Sequence, residues 1–333
     1  MEHYDLAIVG GGPVGLFAAA MAGLHGLQAV IVESLPQLGG QLTALYPEKT
    51  IYDVAGFTSV TARDLAAALV GQAMHYHPAL LLGVTAAGLR RHEDGSLRLA
   101  TSQEEIAAAA ILITAGLGAF TPRRLPAENA ERFVGRGVYY IPPGLREFSG
   151  KDVLVVGGGD TALDWAREIA RHARRVYLVH RRSEFRAQPG SLERIRSLDR
   201  VEIRAPRELK AVLGADKVSH AVLESPLGGE PETLAVQAIV SGLGFHAQLG
   251  ALKDWGLGLQ GSHGVLVDPA TMATNLPGVF AAGDIAAYPG KAKLIATGFG
   301  EVGIAMGPIR SHVRPRLRGA LPHSTNLRPV GDR

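Results

Sequence analysis

Hydrophobic and polar positions follow the same order in two parts of the chain. Apolar residues at 4–9 predict a buried strand, glycines follow at 10–12, residues 16–24 predict a helix, and a second apolar strand at 29–32 ends at Glu33. Residues 151–156, 157–159, 163–172 and 176–179 repeat this order, and the second copy ends at His180. Strands that alternate with helices are typical of α/β proteins with parallel sheets. The pattern therefore predicts two such units in one chain.

The first glycine turn matches the fingerprint of a dinucleotide-binding loop. Its predicted contact residues are Gly10, Gly12, Pro13 and Gly15. In a strand–turn–helix unit the first glycine permits the tight turn, the second lets backbone N–H groups approach a pyrophosphate, and the third lets helix and strand pack closely. Glu33 ends the next strand, where a carboxylate accepts hydrogen bonds from ribose hydroxyls. The first copy is therefore predicted to bind a dinucleotide whose ribose hydroxyls are free.

The second glycine turn ends on the opposite charge. Its predicted contact residues are Gly157, Gly159, Asp160 and Thr161. Where the first copy has Glu33, this copy has His180, and the next basic residues are Arg181, Arg182 and Arg186. Guanidinium groups bind a 2′-phosphate, which a carboxylate would repel. We expect NADP(H) here and FAD in the first copy, since two unequal dinucleotide sites indicate one flavin and one nicotinamide coenzyme. A solvated basic turn is the alternative for the arginines.

Two copies of Gly-Leu-Gly flank the second unit, at residues 116–118 and 242–244. We therefore expect an α/β fold with two Rossmann-like dinucleotide-binding domains, the NADP domain inserted into the FAD domain. The FAD-binding domain is predicted at 1–116 and 245–333, and the NADP-binding domain at 117–244. Paired glycine-rich crossings are candidate hinges, although tight exits from strands would call for the same glycines.

Composition narrows the classes of function. With 34 basic and 31 acidic residues the net charge is +3, which does not indicate nucleic-acid binding. The chain has no cysteine, which excludes disulfides and thiol redox chemistry. No spacing of a metal site or a catalytic triad occurs, so neither a metal ligand nor a general acid or base is predicted. The longest apolar stretch, at 106–120, is shorter than the about 20 residues that span a bilayer. With no targeting segment visible, we expect a cytoplasmic protein that does not bind membranes.

Several motifs resemble those of the thioredoxin-reductase-like flavoproteins over almost the full chain. Gly-Gly-Gln-Leu at 39–42 resembles the flavin-contacting turn of that family, and His-Arg-Arg-Ser-Glu-Phe-Arg-Ala at 180–187 resembles its NADPH phosphate motif. Thioredoxin reductases carry a Cys-x-x-Cys pair before the second glycine turn, whereas this chain has no cysteine. Thioredoxin reductase activity is therefore excluded, because no thiol can pass electrons to a disulfide.

The sub-family without that cysteine pair is the bacterial ferredoxin–NADP reductase of the thioredoxin-reductase type. The chain resembles it at 157–166, at 295–301 and in a tail that contains His323. The resemblance implies FAD contacts from Glu33, Gln41, Tyr46, Ala86, Phe120, Asp284 and Thr325. It further implies that Tyr46 covers one face of the flavin ring and that the tail of a partner subunit brings His323 towards the other, which implies a homodimer. A core aromatic and a polar terminus are the alternatives for these two residues.

The same resemblance implies that electrons pass from NADPH through FAD to ferredoxin, an acidic electron-transfer protein. Hydride transfer to a flavin needs no acid or base from the protein. Two alternatives stay open. One is a reductase with another acceptor, such as flavodoxin, rubredoxin or a quinone, and the other is a non-catalytic redox-sensing flavoprotein. The arginine set favours an enzyme, because a sensor need not keep an NADPH site.

Overall fold

A computed structural model of the protein describes residues 3–45, 47–92, 95–116, 118–187, 189–261, 264–316 and 324–326. The chain forms two compact units. Unit 1 comprises Met1–Phe120 and Ala247–Arg333, and unit 2 comprises Thr121–His246. These divisions lie a few residues beyond the expected ones at 116/117 and 244/245, because short strands at both crossings continue the chain past the glycines.

Unit 1 is built on one mixed sheet with seven strands in its described part. The six strands along its main path are, in spatial order, Ala79–Leu82, Ala29–Glu33, His3–Val9, Glu105–Ile113, Leu97–Thr101 and Ala86–Arg91, and Val279–Ala281 also pairs with Glu105–Ile113. The central strands run parallel, so that Val9 lies opposite both Val32 and Ile113. Their carboxyl ends therefore meet at one edge of the sheet, where ligands bind in open α/β sheets.

Helices cover the sheet of unit 1. They are Pro13–Leu24, Gln41–Ala44, Ala62–Met74 and Ile295–Val313. The first helix begins at Pro13 rather than at the expected residue 16, because proline is favoured at the first helical position. Its buried face consists mainly of alanines, including Ala18, Ala19 and Ala22, whose small side chains let the helix lie close to the sheet. Two small sheets complete the unit: Thr50–Ile51 with Val60–Thr61, and Leu259–Gln260 with Gly264–Leu266 and Ala286–Ala287.

Unit 2 repeats the strand–turn–helix arrangement. Its parallel sheet has the spatial order Val138–Tyr139, Ala238–Ser241, Asp152–Val156, Arg175–Val179 and Val201–Arg204. The helices Asp160–Ala170 and Pro189–Arg196 belong to this unit, and Glu208–Gly214, Val218–Glu224 and Glu232–Ala235 form an antiparallel sheet. The side chains of Val153, Val155 and Leu178 are fully buried in its core. The helix begins at Asp160, three residues before the expected start at 163.

Short strands form at the two crossings between the units. The strand Glu105–Ile113 ends before the first Gly-Leu-Gly, and a new strand, Ala119–Pro122, pairs with Phe245–Gln248. Gly116, Gly118 and Gly244 adopt positive φ, as expected of turn glycines. Gly242 does not, and a Cβ there would lie 2.6 Å from the Cβ of Ala162. Close packing inside unit 2, rather than a hinge, therefore accounts for Gly242.

Among the residues that the structure describes, no helix combines the length and apolar character needed to cross a bilayer.

Candidate functional site

A long cleft opens at the carboxyl edge of the sheet in unit 1. It encloses about 1420 Å³ of space free of protein atoms, including open solvent at its mouth. Most of the lining comes from residues 9–10, 12–14, 32–35, 84–86, 114–116 and 249–252. Residues 40–42, Gly118, Gly283, Asp284 and 293–295 line the remainder. The cleft therefore joins the first glycine turn, the acid after the second strand and the segment around Asp284.

Glycines at the first turn are required by close contacts. Gly10 has a φ of +113°, and a Cβ there would lie 2.6 Å from the carbonyl oxygen of Thr114. A Cβ at Gly15 would lie 1.9 Å from the carbonyl oxygen of Gly10, so that only glycine lets this helix pack against the strand end. At Gly12 the nearest atom to a Cβ would be the Cα of Gly40, 3.9 Å away. Space is thus kept free beside Gly12, at the N-terminus of the helix.

Glu33 is held rigidly in the cleft. Its side chain is buried, with 6% of the residue exposed. The backbone N–H of Gly11 donates to Oε2 at 2.6 Å, and the N–H of Leu35 donates to Oε1 at 2.8 Å. The hydroxyl of Ser34 also donates to Oε1, at 3.2 Å. A carboxylate has about four acceptor positions, so one remains for a ligand hydroxyl. The contact with Gly11 also gives the middle glycine of the turn a role that the sequence analysis does not assign.

Two further predicted residues lie along the same cleft. Gln41 begins the short helix Gln41–Ala44, directly after Gly40, which has a φ of +55°. A Cβ at Gly40 would lie 2.9 Å from the Cα of Gly12, so the two glycines face each other closely. Ala86 begins the strand Ala86–Arg91 and also lines the cleft. Gln41 and Ala86 are therefore brought together with Glu33, although they are far apart in sequence.

Asp284 lies where the strand Val279–Ala281 leads into the cleft. Before this strand the chain folds back at Thr274, whose N–H and hydroxyl both donate to the carbonyl of Val279. Burial raises the pKa of the Asp284 carboxyl. Lys293 and Lys291 oppose this rise, and Glu301 adds to it. The site therefore places one carboxyl among two cations and a second acid.

Glu301 and Lys291 form a buried ion pair that the sequence analysis does not predict as functional. Their side chains are 3% and 7% exposed, and the Nζ of Lys291 donates to Oε1 of Glu301. The hydroxyl of Tyr288 donates to the same oxygen at 2.6 Å, which together with burial raises the pKa of Tyr288 to about 12. The N–H of Gly283 donates to Oε2 at 2.7 Å. The sequence signal of this network is Glu301 itself, which is the single acid of a glycine-rich helix.

Some predicted FAD contacts are not brought to the cleft. Thr325 lies in a short helical turn at Ser324–Asn326, is exposed, and does not line the cleft. Tyr46 and His323 lie outside the described residues, as does the side chain of Phe120. Thr114 is an unpredicted participant, since its hydroxyl donates to the carbonyl of Gly10 at 2.8 Å and thereby supports the glycine turn.

The second glycine turn, in unit 2, repeats this geometry with different chemistry. Gly159 is extended and precedes the helix Asp160–Ala170, so that Asp160 and Thr161 stand in the first turn. A Cβ at Gly157 would lie 2.5 Å from the carbonyl oxygen of Gly242. A Cβ at Gly159, by contrast, would meet no neighbouring atom within 4 Å. Gly159 thus corresponds to Gly12: both glycines have open space beside them at the start of a helix.

His180 takes the position in unit 2 that Glu33 has in unit 1. A Cβ at Gly158 would lie 2.5 Å from its ring, and its Nε2 lies 3.2 Å from the carbonyl oxygen of Glu184. Burial lowers the pKa of His180, the contact with Glu184 opposes this, and the neighbouring arginines lower the pKa further. A buried imidazole ring therefore closes the turn where unit 1 has a carboxyl group.

The three predicted arginines surround this turn. Arg181, Arg182 and Arg186 are exposed. The N–H of Arg186 donates to the carbonyl of Gly158 at 2.8 Å, which brings the end of the arginine segment back to the glycine turn. The cations therefore stand beside the loop on a segment fixed by backbone hydrogen bonds. This arrangement suits a phosphate ester on a nucleotide.

Within the described part of the chain, no group of three or more His, Cys, Asp or Glu side chains is placed to hold a metal ion.

The fold is shared with solved flavoenzyme structures. The thioredoxin reductase of T. acidophilum superposes with a TM-score of 0.77 and covers 93% of this chain and 99% of its own, at 23% sequence identity. A likeness at this identity concerns the fold alone. Unlike a thioredoxin reductase, this chain has no cysteine and therefore no thiol that could pass electrons to a disulfide.

Sequence comparison gives a closer relationship. Residues 4–304 match the family of pyridine nucleotide-disulphide oxidoreductases. The ferredoxin–NADP reductase of Saccharopolyspora erythraea is 48% identical over 323 residues, which are 97% of each chain. The ferredoxin–NADP reductase of Thermus thermophilus is 45% identical over 334 residues and 99% of each chain. The chain therefore belongs to the pyridine nucleotide-disulphide oxidoreductases and, within them, to the family of the ferredoxin–NADP reductases.

Proposed function

We propose that this chain binds FAD in the cleft of unit 1 and NADP(H) at the glycine turn of unit 2, and that it carries electrons from NADPH to ferredoxin. The observation that carries the proposal is the contrast between the two turns. One ends on a buried carboxylate, Glu33, and the other on a neutral His180 with Arg181 and Arg182 beside it. Family membership supports the same pair of cofactors.

The residues of the cleft fit a flavin dinucleotide. No protein atom would lie closer than 3.9 Å to a Cβ at Gly12, so space for a ligand stays free at the start of the helix, whereas the lack of a Cβ at Gly40 lets its segment approach Gly12 closely. The first helix has no side-chain cap, and its free N–H groups and partial positive charge favour a pyrophosphate. The acceptor position left on Glu33 suits an adenosine ribose hydroxyl. We assign Gln41 and Asp284, at the other lining segments, to the flavin and its ribityl chain.

When bound, FAD supplies the conversion between the two-electron chemistry of NADPH and the one-electron chemistry of ferredoxin. The chain's own residues bind and orient. Asp284 accepts hydrogen bonds from hydroxyl groups, and Lys293 and Lys291 oppose the rise in its pKa that burial causes. Glu33 fixes the nucleotide end, and Thr114 holds the glycine turn in shape. Neither a general acid nor a general base is part of this proposal.

At unit 2, the exposed arginines determine the choice of coenzyme. Arg181, Arg182 and Arg186 supply charge-assisted hydrogen bonds to the 2′-phosphate of NADP(H). Gly157, Gly159 and the first helical turn receive the pyrophosphate, as Gly10 and Gly12 do in unit 1. The proposal also includes FAD contacts from Tyr46, Ala86, Phe120 and Thr325. It further includes a homodimer, in which His323 approaches from a partner subunit, and a cytoplasmic location.

An anaerobic titration tests the reductive half of the proposal. Adding NADPH to the FAD-loaded protein should bleach the flavin absorbance within the mixing time of a rapid-mixing instrument, and NADH should do so much more slowly. A protein that keeps its flavin oxidised under NADPH would instead fit a redox sensor.

A panel of acceptors tests the oxidative half. With NADPH as donor, ferredoxin should give a higher kcat/KM than flavodoxin, rubredoxin or a quinone. A preference for one of the other acceptors would leave the cofactor assignment in place and replace ferredoxin as the partner.

A further inference from the structure

The buried carboxylate of Glu301 gathers three donors from a single neighbouring segment. Gly283, Tyr288 and Lys291 all donate to its two oxygens. Glu301 itself lies on the second turn of the helix Ile295–Val313 and is 2% exposed. The helix is therefore attached to residues 283–291 through one side chain.

That segment carries groups which face the cleft. Gly283 and Asp284 line the cleft at its beginning, and Lys293 lines it just beyond its end. The segment is tied to the neighbouring small sheet around Ile285–Ala287, whose carbonyls accept from the N–H groups of Val265 and Val267. The contacts with Glu301 thus fix Gly283 on one side of this short attachment, and Tyr288 and Lys291 on the other.

A buried ion pair is costly to desolvate and can often be replaced by apolar residues without loss of stability. Stability alone therefore gives no reason for this pair. An apolar side chain at position 301 could not accept the N–H of Gly283, which is the residue that precedes Asp284. The carboxylate consequently fixes the Ala282–Gly283 peptide, directly before Asp284, and Lys291 neutralises the charge that this requires.

We propose that Glu301 is a positioning residue for the flavin nucleotide, with Lys291 as its counter-ion: through the N–H of Gly283 it holds Asp284 in the orientation that receives the ligand. This inference rests on the proposed binding of FAD in unit 1. Packing agrees with it, since a Cβ at Gly298, on the same helix, would lie 3.3 Å from the Cα of Gly283. The helix and the Gly283 turn therefore approach closely enough for this control.

Two double variants without charge at positions 291 and 301 separate the effect of the hydrogen-bond acceptor at position 301 from the effect of the ion pair. Lys291→Met/Glu301→Gln keeps an oxygen that can accept from Gly283, whereas Lys291→Met/Glu301→Leu does not. The FAD-depleted proteins are titrated with FAD by flavin fluorescence, and their melting temperatures are measured without FAD. We expect the leucine variant to bind FAD about tenfold or more weakly than the glutamine variant, because leucine accepts neither from the N–H of Gly283 nor from the hydroxyl of Tyr288. Equal dissociation constants for the two would overturn the proposal.

A single variant provides a second readout in case the leucine variant does not fold. Glu301→Gln removes the acid that raises the pKa of Asp284 and leaves Lys291 and Lys293, which lower it. FAD binding should therefore persist to lower pH than in the wild type. An unchanged pH profile would refute the coupling between Glu301 and Asp284.

Glu168→Gln serves as the matched control. Glu168 is a buried acid of unit 2, paired with Arg167 and Arg171. Its substitution should leave FAD affinity at the wild-type value, and an equal loss there would mean that any buried acid gives the effect. If the wild-type apoprotein itself takes up no FAD, the proposed function fails instead.

Discussion

Gly12 and Gly15 belong to the same turn, yet the structure gives them opposite tasks. An alanine Cβ at Gly15 would lie 1.9 Å from the carbonyl oxygen of Gly10 and 2.8 Å from Oγ1 of Thr114. Real Cβ atoms essentially never come within 3.0 Å of such atoms, so the helix and the strand end must separate by about 1 Å. Gly15→Ala should therefore destabilise the protein even without FAD. At Gly12 an alanine Cβ meets no protein atom closer than 3.9 Å.

The expected size of the Gly15→Ala effect follows from this overlap. Forcing one extra carbon into a packed interior costs about 1–3 kcal/mol, and a backbone partner that cannot rotate away places this case at about 2 kcal/mol or above. For a unit of this size that corresponds to a fall of about 4–8 °C in Tm. Gly12→Ala should leave the free energy of unfolding of the apoprotein within about 0.5 kcal/mol of the wild type, since φ −75° and ψ −174° suit alanine.

The assay combines thermal unfolding of the FAD-depleted proteins with fluorescence titration of FAD. Gly12→Ala should weaken FAD binding about tenfold or more, because its Cβ takes the space reserved for a pyrophosphate. A Gly15→Ala apoprotein that melts with the wild type would contradict the packing argument. A Gly12→Ala protein that binds FAD as tightly as the wild type would contradict the assignment of this loop.

Three further substitutions test the site. Replacing Arg181 and Arg182 by glutamine should raise the KM for NADPH about tenfold or more and leave NADH use unchanged, whereas Arg194→Gln, an exposed arginine elsewhere in unit 2, should change neither. Glu33→Gln should weaken FAD binding about tenfold in a fluorescence titration, because an amide cannot accept from both Gly11 and Leu35. Gly244→Ala places alanine at a φ of +81° and should lower the free energy of unfolding by about 1 kcal/mol in thermal unfolding. The KM for NADPH should not change, and a lower KM or an unchanged Tm would contradict this.

Local patterns were sufficient to predict the two glycine turns. A strand, a turn and a helix that follow one another in sequence are also neighbours in space, so the spacing of Gly10, Gly12 and Gly15 carries their geometry. The contrast between Glu33 and His180 was equally visible, because each residue directly ends a strand. The helix starts were predicted less well, since Pro13 and Asp160 begin helices before the apolar periodicity becomes apparent.

Several features depended on packing between distant segments. Gly242 reads as a hinge in sequence, but the contact with Ala162 gives it a packing role. The end of the long strand at Ile113 is set by Thr114, which turns back to the carbonyl of Gly10. Neither contact leaves a trace in the neighbouring sequence, because its partner lies on another element.

The sequence by itself determined that this chain has two glycine-turn units, one ending on an acid and the other on a basic segment, and that no thiol chemistry is possible, since both follow from residue types at short spacing. Only the tertiary structure decided that Ala86, Gln41 and Asp284 line one cleft with Glu33. It alone also joined Lys291 to Glu301 beneath that cleft. The physical reason is that parallel strands gather their carboxyl ends at one edge whatever their distance along the chain, and that buried charges must find partners wherever the fold provides them.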